Sequence, residues 1–296
     1  MSKYRAGFAA IIGKPNSGKS TLINALVNKK IAIVSDRPET TRDTIRGIVT
    51  EKASQIVFVD TPGIHRPHLL LGKLMMNKAS NSMLDADIII FVVDASSRLS
   101  EADNIIIDRI RESAKPAVVA INKIDAVSKS RILPIIGELK DRYPFKEFIP
   151  ISASTHENLP LLQKTIAGML PAGDKLYDDN DITDKGDIFI ASEIIREKAI
   201  CLTREEVPHS LAVAVEGFEI RPDTGILDIE AIIYVERDSQ RGILIGQKGS
   251  MIKQISTLSR KELEERFGRK IFLRVTVNVL DEWRKSEIAL KKLGIN

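Results

Sequence analysis

Across the first 170 residues, continuous apolar runs alternate with amphipathic stretches. The runs are "FAAIIG" (8–13), "IVFVDT" (56–61), "DIIIFVVDA" (87–95), "PAVVAINK" (116–123) and "FIPISA" (148–153). Between them, apolar positions recur at helical spacing over 19–28, 71–84, 101–113, 131–141 and 158–169. Asn158 and Pro160 open the last of these as helix-entry residues. Unbroken apolar strands separated by helices predict a mostly parallel sheet covered on both faces.

The pattern stops at "PAGDKLYDDNDITDKGD" (171–187), where proline, glycine and a cluster of acids read as a linker. Beyond it the order is helix (188–203), strand (209–219), strand (226–236), a glycine-framed turn (246–249), helix (250–267), strand (270–280) and a closing helix (282–292). Alternation in "SLAVAVEGF" and "ILDIEAIIYVE" predicts an antiparallel sheet with one covered face. The expectation is an α/β domain over 1–172, a linker over 173–187 and a smaller α+β domain over 188–296.

The length of 296 residues fits two domains, and an apolar fraction of 43% supplies ordinary cores. The single cysteine, Cys201, excludes an internal disulfide and suits a reducing compartment; it is expected to be buried and inert. No apolar run reaches membrane-spanning length and "MSKYRAG" has no signal-peptide core, so the expectation is a soluble cytoplasmic protein. The net charge of +4 says little, but its distribution is uneven. Residues 186–236 carry 4 Lys and Arg against 11 acids, whereas 237–296 carry 14 against 7. The basic C-terminal segment is either a solvated surface or a polyanion footprint.

"GKPNSGKS" (Gly13–Ser20) follows a predicted strand and opens a predicted helix, the context a phosphate-binding G-x-x-x-x-G-K-[ST] loop requires. Glycines let consecutive amides curl around a phosphate, and the helix N-terminus adds a favourable field. Gly13, Pro15, Asn16, Ser17 and Gly18 form the cradle, Lys19 reaches the terminal phosphates, Ser20 ligates Mg²⁺, and Thr21 supports the helix start or the α-phosphate. Three further stretches select the nucleotide. "VFVDTPG" places Asp60 at a strand end for Mg²⁺ through water, and Gly63 where its N–H meets a γ-phosphate. "INKID" supplies Asn122, Lys123 and Asp125, and a carboxylate at Asp125 pairs with the two donors of guanine that adenine lacks. "ISAS" sets Ser152 and Ala153 where an amide meets guanine O6. Together they predict GTP and GDP as ligands.

With these motifs, residues 8–170 resemble the translation-factor-related class of P-loop GTPases. Within it, "PNSGKSTL", "TTRD" and "DTPG" resemble the subgroup of ribosome-assembly GTPases. That resemblance implies that "PETTRDTI" (38–45) is a first switch in which Thr41 or Thr40, with Thr41 favoured, closes on Mg²⁺ and the γ-phosphate. It also implies a catalytic set of Lys19, Thr41, Gly63 and Asn16, with Asn16 a candidate K⁺ ligand or a brace for the loop. Ile64 stands where Ras-like GTPases carry the glutamine that orients water, so slow intrinsic turnover is expected.

"RGILIGQKGSMIKQI" (241–255) holds a second glycine-framed turn, Gly246-Gln247-Lys248-Gly249, before a helix. A G-x-x-G turn joining two helices brings a nucleic-acid backbone close to main-chain amides, beside an apolar groove for about four unpaired bases. Ile243, Ile245 and Ile252 either line that groove or fill the core; Arg241, Lys248, Lys253, Arg260 and Lys270 are candidate phosphate contacts. This is a KH signature, and the element order is that of a type II KH domain. With "REKAICLTREEVPHSLAV" (196–213) and "EWRK" (282–285), the whole chain resembles the Era family of GTPases. The resemblance implies binding of single-stranded RNA near the 3′ end of small-subunit ribosomal RNA, a role in 30S maturation, possible peripheral contact with the inner membrane, and a monomer. Trp283 is expected to pack on the last helix and Met75-Met76 in the core.

Overall fold

The computed structural model describes residues 3–35, 37, 40–63 and 69–295. These fall into two compact units, Met1–His68 with Gly72–Asp184, and Lys185–Asn296 with Leu69–Leu71.

The first unit is built on β1 (Arg5–Ile12), β2 (Ile45–Thr50), β3 (Ser54–Asp60), β4 (Ile88–Asp94), β5 (Ala117–Asn122) and β6 (Glu147–Pro150). Its sheet order is β2-β3-β1-β4-β5-β6, parallel except for the antiparallel β2–β3 pair. The helices are α1 (Lys19–Val27), α2 (Leu70–Asp85), α3 (Glu101–Ser113), α4 (Ile132–Arg142) and α5 (Leu159–Met169). Every residue of β3, β4 and β5 is buried, as strands covered on both faces must be. In α2, Met75, Ala79 and Met83 recur every fourth residue and are all buried, so one face of the helix meets the core. Helix α3 begins at a capping box in which Ser100 and Asp103 satisfy each other's backbone amides.

β2 was not among the strands read from the sequence. It is short, carries Gly47, and lies at the sheet edge with an incomplete apolar pattern. The glycine has a packing reason, since a Cβ there would stand 2.8 Å from side-chain atoms of Ile23 and Val27 in α1. The stretch expected as a linker runs along this edge. Ile48 N donates to Ile182 O at 3.0 Å, Gly47 bridges Thr183, and buried Gln55 accepts from the amides of Leu176 and Tyr177 at 2.7 and 3.0 Å. The Gln55 side chain also donates to Tyr177 O at 2.9 Å. Edge strand β2 is thereby paired rather than left open.

The second unit comprises α6 (Asp187–Leu202), α7 (Val207–Ser210), β7 (Ala212–Ile220), β8 (Leu227–Val235), α8 (Asp238–Ile245), α9 (Ser250–Phe267), β9 (Ile271–Val279) and α10 (Glu287–Lys292). The sheet order is β7-β8-β9. β7 and β8 are antiparallel, but β9 is parallel to β8, which corrects the all-antiparallel expectation. The reason lies in the connection, because α8 and α9 form a helical crossover that returns the chain in the same direction. Trp283 is fully buried and donates its ring N–H to Ser210 O at 2.7 Å, from a 3₁₀ turn that precedes α10. The single closing helix expected over 282–292 is thus broken at Ser286, which caps α10. Cys201, expected to be buried, is exposed on the outer face of α6 while its neighbour Ile200 faces the core.

Candidate functional site

The carboxyl ends of β1, β3, β5 and β6, with the segment before β2, carry the sequence-predicted residues of the first unit. Gly13–Gly18 leaves β1 and enters α1. Gly18 has φ 95°, and a Cβ on it would stand 2.2 Å from Nδ2 of Asn122, so both conformation and space demand glycine. Asn16 is also left-handed at φ 62°. The fully buried Ser17 turns its side chain into the protein, leaving its backbone to the loop. Gly63 approaches the same loop, where a Cβ would lie 3.0–3.2 Å from Pro15. Pro15, Asn16, Gly18, Lys19, Ser20, Thr21, Thr40, Thr41 and Gly63 line one cavity.

Lys19 is buried, and its ammonium donates to the carbonyls of Gly13 and Lys14, both at 3.0 Å. Burial lowers its pKa to about 8, against the opposing pull of Asp60. Asp60 is fully buried and raised to about 6 by the same loss of water, although Lys19, Ser20, Thr41 and Thr61 favour its charge. The Ser20 hydroxyl lies 2.9 Å from Thr41 Oγ1 and donates to Asp60 Oδ2 at 2.9 Å; Thr41 Oγ1 lies 3.5 Å from the same oxygen. Asp60 Oδ1 is buried and accepts no hydrogen bond from the described residues. The Ser20 and Thr41 hydroxyls beside the Asp60 carboxylate, one oxygen of which is left unsatisfied, suit a small, hard cation such as Mg²⁺. Thr40 lines the same cavity, its hydroxyl donating to Arg37 O at 2.6 Å.

The segments after β5 and β6 are tied to the loop through Asn122, whose amide donates to Ser17 O and accepts from Ala153 N, both at 3.0 Å. Asp125 is solvent-accessible and accepts from Ser154 Oγ at 3.3 Å. Its carboxyl is held below the ordinary range, first by a hydrogen bond from Ser152, so it presents a charged acceptor at neutral pH. Sequence reasoning missed Ser154, and it missed Asp94, Lys14 and Asp103, which hold the loop from behind. Asp94 ends β4 as Asp60 ends β3, and an acid at the carboxyl end of a parallel strand was the available signal. Ile64 lies outside the described residues.

In the second unit, Gly246, Lys248 and Gly249 have φ of 70°, 51° and 77°. The chain turns sharply between α8 and α9 and leaves Gln247 and Lys248 exposed. Leu244 and Ile255 fill the core at the turn. Ile243 is 47% exposed, and Ile245 and Ile252 are partly exposed, so none of the three is a core residue. Arg241, Lys253, Arg260 and Lys270 are exposed, with Arg241 near Asp238 at 3.4 Å.

Two family models match the chain, a 50S ribosome-binding GTPase over residues 8–123 and a KH domain over residues 206–284. GTPase Era of Caldanaerobacter subterraneus subsp. tengcongensis is 44% identical over 291 residues, covering 98% of both chains. GTPase Era of Geobacter metallireducens is likewise 44% identical with 98% of both chains covered. Among solved structures, Era in complex with MgGDPNP and nucleotides 1506–1542 of 16S ribosomal RNA superposes with a TM-score of 0.96 at 39% identity, over 99% of each chain. A variant of Aquifex aeolicus Era bound to GDP·AlF4⁻ gives 0.95 at 39% identity, over 98% of this chain and 99% of that one. With relatives 44% identical over 98% of both chains and a GTPase and a KH family model matching its two halves, this protein belongs to the Era family of GTPases.

Proposed function

We propose that the chain is a GTP-hydrolysing switch that clamps single-stranded RNA near the 3′ end of small-subunit ribosomal RNA and acts in 30S subunit maturation. The convergence of Ser20, Thr41 and Asp60 beside Lys19, on a chain that also presents an exposed Gly246–Gly249 turn, carries the reading. The Era structure in complex with MgGDPNP and nucleotides 1506–1542 of 16S ribosomal RNA supports it.

In this reading the amides at the start of α1 wrap the β-phosphate and Lys19 bridges the terminal phosphates. Ser20 and Thr41 are the residues that would hold Mg²⁺, with Asp60 beside them. The ion would neutralise phosphate charge that the chain's own dipoles only partly offset. Gly63 N–H meets the γ-phosphate and Asp125 reads guanine. Asn16 lines the cavity and is the candidate for a K⁺ ion beside the phosphates. Hydrolysis rates in matched KCl and NaCl, with Asn16→Ala alongside, test that ion; equal rates remove it. Ile64 offers no hydrogen bond to the attacking water, so turnover without RNA is slow.

Coupling of the two activities follows the chain. The first switch leads straight into β2, and β2 is hydrogen-bonded to residues 182–184, three residues before α6. A change of the switch on hydrolysis would thus reach the segment that enters the second unit. On the RNA side, Ile243, Ile245 and Ile252 line the base groove, while Arg241, Lys248, Lys253 and Lys270 meet phosphates. Peripheral membrane contact and a monomeric state complete the proposal on the family resemblance alone; among the described residues no helix is long and apolar enough to cross a membrane. Vesicle flotation and sedimentation test these two points. Crosslinking in cells followed by sequencing of bound RNA tests the function itself. Enrichment of the 3′ end of small-subunit RNA, lost in Gly246→Asp, is expected; recovery of no RNA contradicts it.

A further inference from the structure

We propose that Asp94 is a positioning residue for guanine-nucleotide binding, acting through Lys123 on the backbone of Asn16. The inference rests on the nucleotide site described above and assigns it a support that none of its four motifs contains. Asp94 ends β4 and is 7% exposed. Both of its oxygens are committed. Oδ1 accepts from Ser96 N at 2.8 Å and Ser96 Oγ at 2.6 Å, and Oδ2 accepts from Lys123 Nζ at 2.7 Å. The same ammonium donates to the carbonyl of Asn16 at 2.8 Å. A rigid strand end is thereby connected, through one cation, to the phosphate loop.

The connection matters because of what Asn16 must do. A non-glycine residue at φ 62° is unfavourable by itself, though asparagine tolerates it better than most. Lys123 is left-handed as well, at φ 64°. An ion-paired ammonium on the Asn16 carbonyl holds that peptide in the orientation from which Ser17 and Gly18 continue into α1. Without the carboxylate, Lys123 is a long side chain, 37% exposed, with one neutral acceptor and water as competitor. Burial favours the neutral acid at Asp94, but the bonds from Lys123 and Ser96 outweigh it and hold the carboxyl below its ordinary range. A second tie flanks Pro15 on the other side, where Lys14 donates to Ser97 Oγ at 2.9 Å and to buried Asp103 at 3.3 Å. Both ties run to residues 94–103, so the β4–α3 connection forms the back wall of the loop.

The experiment is a double-mutant cycle on the full-length chain, read by GDP dissociation rate in stopped flow. Asp94→Asn keeps the shape and loses the charge. We expect GDP to leave about tenfold faster, a typical coupling for an ion pair that also carries a hydrogen bond. In a Lys123→Met background the same substitution is expected to add less than about twofold. The ratio of GDP to IDP affinity should stay at the wild-type value, because Asp125 reads the base. Ser96→Ala removes one bond from the carboxylate, keeps its charge, and should speed release about threefold; it carries the test if Asp94→Asn does not fold. An unchanged rate in the folded variants, or full additivity with Lys123→Met, overturns the proposal. Failure of the wild-type chain to bind GDP would instead overturn the nucleotide-site reading.

Discussion

The chain uses two glycine-framed turns to open two helices, and they differ in how far the rest of the fold encloses them. In the phosphate loop, glycines answer crowding. A Cβ on Gly13 would stand 2.6 Å from the Val92 carbonyl, and one on Gly18 would stand 2.2 Å from Asn122. Strand ends, Lys14 and Lys123 hold this loop on every side, and Lys19 lies buried within it. In the Gly246–Gly249 turn, Gly246 is crowded only by the helix that follows it, a Cβ on Gly249 would meet nothing within 4 Å, and the adjoining lysine is exposed. A loop that engulfs a compact, highly charged triphosphate needs every dipole fixed before binding. A turn that meets a flexible polyanion needs access and curvature, and leaves much of its affinity to charge.

The largest expected effect lies in the crowded loop. Gly18→Val combines a side chain against Asn122 with a left-handed backbone, and we expect GDP affinity to fall more than about 100-fold. RNA binding by nucleotide-free protein should persist; calorimetry and anisotropy on one preparation read both. Next comes the open turn. Gly246→Asp adds a carboxylate beside the phosphate path and a Cβ at 2.7 Å from Met251, at φ 70°. It should weaken RNA binding at least about tenfold with GDP affinity unchanged. Lys248→Ala should cost about threefold and reduce the slope of log affinity against log salt by about one. Loss of GDP binding in either KH variant would break the comparison.

Proton linkage sharpens it further. Lys19 in the ligand-free loop has a pKa of about 8, and bound phosphates raise it. Nucleotide affinity is therefore fully present below about pH 8 and falls as pH rises beyond it, by up to about tenfold per unit, with proton uptake on binding. The ligand-free fold changes in the opposite sense. A lysine whose folded pKa lies below its unfolded value holds fewer protons folded than unfolded between about 8 and 10.5, so stability contributed by this group rises with pH there. Calorimetry in buffers of different ionisation enthalpy measures the uptake. RNA affinity should carry no such step near pH 8.

These contrasts show which features a linear pattern can carry. The phosphate loop, Asp60, Asn122 and Asp125 were legible because each motif sits at a strand end that hydrophobic runs announce. Helix α3 was legible to the residue, since Ser100 and Asp103 cap it and apolar spacing fills it. Edge strand β2 was not, because a half-exposed strand with a packing glycine has neither alternation nor an unbroken run. The parallel pairing of β9 is a consequence of the crossover and leaves no trace in β9 itself. Cys201 was misplaced because it sits one position from buried Ile200, where a shift of one residue on a helix reverses burial. The ties through Lys14, Asp94 and Gln55 join residues 29 to 122 positions apart, a distance at which no local pattern speaks.

The smallest effect concerns that last tie. Gln55→Leu leaves the amides of Leu176 and Tyr177 without their acceptor, at about 0.5–1.5 kcal/mol for each part-buried hydrogen bond. Intrinsic GTP turnover should hold while cleavage within 172–184 by limited proteolysis accelerates. Unchanged cleavage would mean that the segment does not depend on Gln55.

The central claim is that the enclosed site governs the open one. The direct measurement is anisotropy of a fluorescent oligonucleotide matching the 3′ end of small-subunit ribosomal RNA, titrated with protein loaded with a non-hydrolysable GTP analogue or with GDP at equal Mg²⁺ and salt. The account predicts that the analogue-loaded form binds at least about fivefold more tightly, the lower end of ordinary coupling between sites. Equal affinities in the two states would contradict it.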